Sequence, residues 1–72
     1  DPSQYKEKVW QKINEFNGKP IPIGDLLDRP EKANIVRTFV GSLFLAREGR
    51  IDIIQKNLES HNIYVKNLES AG

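Results

Sequence analysis

Apolar residues recur along this chain with a period that changes from segment to segment. Over residues 3–16, Tyr5, Val9, Ile13 and Phe16 stand four, four and three apart with Trp10 beside them, which predicts an amphipathic helix. Ser3 is its expected N-cap, and Glu7 falls early, where negative charge suits the helix dipole. Asn17 and Gly18 tolerate the left-handed conformation of a C-cap and predict its end. Residues 19–23 read KPIPI, and two prolines, each lacking a backbone donor, allow only an edge strand or an extended segment. In such a segment Ile21 and Ile23 point the same way and pin it to the core. Residues 24–28, GDLLD, suffice for one or two helical turns buried through Leu26 and Leu27, and Arg29-Pro30 then breaks the chain.

Residues 31–49, EKANIVRTFVGSLFLAREG, predict the long helix around which the rest is arranged, with Gly49 as its stop. At about 100° per residue, Ile35, Ala46, Phe39, Leu43, Val36, Val40, Ala33 and Phe44 fall in one sweep of roughly half the circumference, and Leu45 lies apart. A helix that serves one small core needs a stripe of only about 100°. This helix is therefore either wrapped on two sides by its own domain or offers apolar surface to another molecule. Outside the sweep lie Asn34, Arg37, Thr38, Gly41, Ser42 and Glu48, the expected solvent face.

After Gly49 the pattern alternates. Ile51 and Ile53 share a side, with Asp52 and Ile54 opposite; residues 56–61 have the composition of a loop. Residues 62–66, NIYVK, predict a second strand with Ile63 and Val65 on one face and Tyr64 on the other, so that the two runs form a hairpin. Residues 67–72 carry no signal and are expected to fray. The order is helix, extended segment, short helix, long helix, hairpin. It predicts an α+β winged helix: three helices with a small antiparallel sheet ending in a β-hairpin wing, and KPIPI as the third strand.

Seventy-two residues, 38% of them apolar, make one domain over residues 1–72 near the lower size limit for a self-sufficient core. A first residue Asp1 and the lack of any Met lead us to expect a domain excised from something longer. The absence of cysteine excludes disulfides and zinc–thiolate sites and fits an intracellular, reducing compartment. No run is long and apolar enough for a bilayer. His61, the one histidine, stands in the wing loop without a nucleophile beside it and reads as a solvated residue. Asp25 and Asp28 read as a helix cap and a solvated charge before a paired-carboxylate site, and no glycine-rich phosphate loop is present. We expect no catalysis, cofactor, metal or small-molecule substrate. Trp10 reads as an indole half buried against a neighbouring helix.

A net charge of +1 gives no basic surplus of the kind that attaches a domain to nucleic acid. A winged helix that reads DNA places polar and basic side chains of its long helix in the major groove. Here the face outside the sweep carries Arg37 offset by Glu48, Lys32 and Arg47 lie near the ends, and the wing loop has Lys56 against Glu59. DNA binding, through Arg37 and Lys56, is the alternative reading; homodimerisation through the long helix is a third.

The string KANIVRTFVGSLFLAREGRIDIIQ followed by NIYV resembles the C-terminal winged-helix domain of kleisins, the proteins that bridge the ATPase heads of SMC complexes. The family's arginine, aromatic, leucine–leucine–alanine group, glycine, alternating strand and glutamine are matched by Arg37, Phe39, Leu43, Leu45, Ala46, Gly49, Ile51, Ile53 and Gln55. Where the family often has a phenylalanine–glycine pair before its last strand, this chain has Ser60 and His61. The likeness is nearest to the cohesin kleisin, mitotic or meiotic, with the condensin II kleisin and the bacterial or archaeal kleisin as near relatives. It implies a non-catalytic module that docks on an SMC ATPase head, closes one end of a ring and serves chromosome cohesion and segregation. It also implies a nuclear, chromosome-associated location, with any DNA contact indirect or weak. Carried over by position, Phe39 and Leu43 are the expected interface anchors with Ile35 and Val36 beside them, and Ile51 and Ile53 contribute from the wing strand.

Overall fold

In the computed structural model, residues 2–29, 31–55 and 62–69 are described. Helix α1 spans Pro2–Ile13, strand β1 Ile21–Pro22, a 3-10 turn Ile23–Leu26, helix α2 Lys32–Arg47, strand β2 Ile51–Gln55 and strand β3 Ile63–Asn67. The sheet is antiparallel in the order β1-β3-β2, with Ile21 opposite Val65 and Ile53 opposite Val65 from the other side. This is the winged-helix architecture, with the middle helix reduced to one 3-10 turn. Four residues between Pro22 and the extended Leu27 leave room for nothing longer.

Helix α1 begins before Ser3, which lies inside it and does not cap it. Val9 and Ile13 are buried, but the helix ends at Ile13 and Gly18, at a φ of 88°, turns the chain away. Phe16 is carried past the core and is exposed. Trp10 packs partly buried against the core, with the Arg50 guanidinium 4.0 Å over its ring.

The face that α2 turns inward is the reverse of the one its apolar residues mark out. Thr38, Gly41, Ser42 and Leu45, spaced i, i+3, i+4 and i+7, are its buried residues. The reason is the close passage of α1: a Cβ on Gly41 would stand 2.9 Å from the Tyr5 carbonyl oxygen and 3.0 Å from Val9 Cγ2. Only small side chains fit such a crossing. Ser42 Oγ donates to the Thr38 carbonyl at 2.8 Å, so its hydroxyl is satisfied within the helix. Thr38, Gly41 and Ser42, expected at the solvent face, are thus core residues, and Leu45 is the one large side chain that α2 sends to the centre.

Helix α2 stops as expected. The Gly49 N–H bonds the Ala46 carbonyl and the Arg50 N–H the Leu45 carbonyl, both at 3.0 Å, a Schellman motif whose left-handed position is Gly49 at φ 78°. The turn delivers Ile51 into a core made with Val9, Ile13, Ile21, Leu26, Leu45 and Val65. Strand β3 runs one residue further than its apolar pattern predicts. Asn67 is buried, donates to Asn14 Oδ1 at 3.1 Å and accepts the Glu69 N–H at 2.9 Å, tying the expected frayed segment, as far as residue 69, to the turn that follows α1. Lys56, Glu59, Ser60 and His61, on which the wing-loop readings rest, lie outside the described residues, as does Pro30.

Candidate protein-docking site

Because α2 spends its small residues on the core, most of its apolar sweep faces out, with Val40 and Ala46 partly buried. Ile35 is 49% exposed, Val36 54%, Phe39 36%, Leu43 47% and Phe44 39%. Ile35, Phe39 and Leu43 recur every four residues and rise about 12 Å along the helix axis, so they make one continuous ridge. Beside it Tyr5, Ala33, Val36 and Val40 line a shallow apolar dimple, where the Arg37 guanidinium lies 5.5 Å over the Tyr5 ring. Scattered apolar side chains are ordinary on a protein surface, but a contiguous ridge of large ones marks an interaction site.

Four of the six expected partner residues, Ile35, Val36, Phe39 and Leu43, therefore share one exposed face. The other two do not join it. Ile51 is 2% exposed at the centre of the core, and Ile53 packs against that core opposite Val65. The inward side of β2 has to close over Val65, which leaves Ile51 no surface to offer and Ile53 only partly exposed. Phe44, which is not among the six, belongs with the exposed face, as its place in the apolar sweep indicates.

The charges around this face are unevenly matched. Helix α2 holds Lys32, Arg37 and Arg47 and no carboxylate. The acids at its two ends are held by cations of other segments: Glu31 by Arg29 at 3.9 Å, and Glu48 by Lys6 at 2.7 Å and Arg50 at 3.7 Å. The hydrogen bond from Lys6 holds the Glu48 carboxyl below the ordinary glutamate range. On the other flank of α2, a cleft of about 150 Å³ between the helices is lined by Lys8, Lys12, Leu26, Asp28, Asn34 and Arg37 among others. Within it Lys12 donates to Asp28 at 3.0 Å, which lowers the aspartate pKa and raises that of the lysine. Asp28 is thus engaged by a cation.

The DNA reading needs polar side chains on the outer face of α2. Thr38, Gly41 and Ser42 are turned inward, Asn34 is partly buried, and what remains outside is mostly aliphatic and aromatic.

No family model and no curated protein matches this sequence. Among solved structures, the chain is similar to the C-winged helix domain of ScpA in a crystal structure of that domain bound to the SmcHead. The two share 34% identity with a TM-score of 0.80, over 94% of this chain and 100% of the other. That neighbour is a kleisin of the prokaryotic type, which overturns the nuclear location expected from the cohesin likeness, since prokaryotic chromosomes are not enclosed in a nucleus. The cohesin type and sister-chromatid cohesion are not supported by it either.

Proposed function

The chain belongs to the C-terminal winged-helix domains of ScpA-type kleisins, and from that premise we propose that it is a non-catalytic module that docks on an SMC ATPase head through the outer face of α2. The one observation that carries this reading is the inverted helix: small residues face inward and Ile35, Val36, Phe39 and Leu43 face water. The similar ScpA domain was crystallised on an SmcHead, which names the kind of partner. In this role Phe39 and Leu43 are the central anchors, Ile35, Val36 and Phe44 surround them, and the domain closes one end of an SMC–kleisin assembly on the chromosome.

The proposal is tested with Phe39→Arg and Leu43→Arg. Both side chains already meet water in the free domain, so an arginine at either position leaves folding intact, which circular dichroism checks. At an interface centre, a charge buried without a partner costs on the order of 3–5 kcal/mol. That weakens binding by roughly two to three and a half powers of ten. Calorimetric titration against a purified SMC head should show this loss for each variant. Parental affinity in both folded variants would reject the α2 face as the docking surface.

A further inference from the structure

The cations of α2 carry information about what covers it. At about 100° per residue, Lys32 lies within about 40° of both Val36 and Leu43, and Arg47 within about 20° of Val36. Both therefore sit on the apolar face itself, one at each end, about 22 Å apart along the helix. Both are exposed, and neither belongs to an ion pair among the described residues. The two acids close enough in sequence to answer them, Glu31 and Glu48, are held by Arg29 and by Lys6 and Arg50. Among the described residues, then, nothing neutralises this pair.

Resting on the docking role assigned above, we propose that the surface of the SMC head that receives α2 is apolar at its centre and carries carboxylates at two points about 22 Å apart, opposite Lys32 and Arg47. An apolar centre with a charged rim is the usual anatomy of a protein interface, and rim charges of this kind act on encounter more than on residence. A nucleic acid is the other polyanion that could answer two cations. It is disfavoured because Phe39, Leu43, Val36 and Ile35 lie between them, whereas surfaces that hold DNA are polar and densely basic.

The test is stopped-flow association of the chain with a purified SMC head at low and high salt, comparing the parent with the Lys32→Glu/Arg47→Glu double variant. Both positions are exposed, so the variant keeps its fold. The expected result is a fall in the association rate of about tenfold or more at low salt, with the difference shrinking as salt screens the charges and the dissociation rate little changed. An unchanged or faster association of the variant at low salt overturns the acidic counter-surface. So does capture of a DNA duplex by the parent, lost in the variant. If the parent binds the head and only the charge dependence is missing, the docking role stands and this inference alone fails. If the parent does not bind the head, both fall.

Discussion

Gly41→Ala tests the orientation of α2 by the sign of its effect. At an exposed site in the middle of a helix, replacing glycine with alanine stabilises by about 0.5–1 kcal/mol, because the unfolded chain loses conformational freedom. Here the added Cβ would lie 2.9 Å from the Tyr5 carbonyl oxygen, 3.0 Å from the Tyr5 carbonyl carbon and 3.0 Å from Val9 Cγ2. Two of these three atoms are backbone, so relief requires α1 and α2 to move apart. Overpacking of this kind costs about 1–3 kcal/mol, which offsets the propensity gain and leaves a net loss of up to about 2.5 kcal/mol. In a domain of this size about 1 kcal/mol moves the melting temperature by about 4–8 °C. Thermal unfolding followed by circular dichroism should show Gly41→Ala melting several degrees below the parent, and Gly41→Leu lower again. A rise in melting temperature for Gly41→Ala would place residue 41 in solvent and refute the inward turn of the small face.

Other outcomes follow from the same packing. Leu45→Ala, at the buried centre, should cost about 2–5 kcal/mol in urea unfolding, whereas Leu43→Ala should stay within about 0.5 kcal/mol; the opposite ranking would exchange core and surface on α2. Glu48 has a folded pKa below its unfolded value, so its pairing with Lys6 and Arg50 stabilises the fold above about pH 4.3 and is lost as pH falls through the depressed value. The melting temperature of the parent should therefore exceed that of Glu48→Gln at neutral pH, and the gap should close in acid. A gap that persists unchanged at low pH would mean that the carboxylate charge is not what Lys6 and Arg50 stabilise.

The order of elements was legible in the sequence because each boundary is set locally. Gly49 supplies the left-handed position that ends α2, and Pro20 and Pro22 confine KPIPI to a sheet edge, whereas α1 stops at Ile13, five residues before the expected stop at Gly18. The alternation of Ile51, Asp52 and Ile53 marks β2 without any knowledge of its neighbours. The facing of α2 was only half legible. The width of its apolar sweep and the separate position of Leu45 both point to surplus hydrophobic surface. That Thr38, Gly41 and Ser42 form the core side could not be read from polarity, because it depends on how closely α1 passes, a tertiary distance that leaves no local pattern. For the same reason Ile51 carried the right chemistry for a partner surface while the pairing of its strand with β3 turned it into the core, with Ile53 partly buried against it. Asn67 looks like the start of a tail in sequence; its partner Asn14 lies 53 residues away and is invisible to any local reading.

Hydroxyl-radical footprinting of the chain, free and in the presence of a saturating SMC head, measures the coverage of α2 directly. Phe39 and Leu43 should be oxidised readily in the free chain and protected in the complex, with Leu45 unreactive in both. Formation of the complex with Phe39 and Leu43 still as reactive as in the free chain would contradict docking through this face.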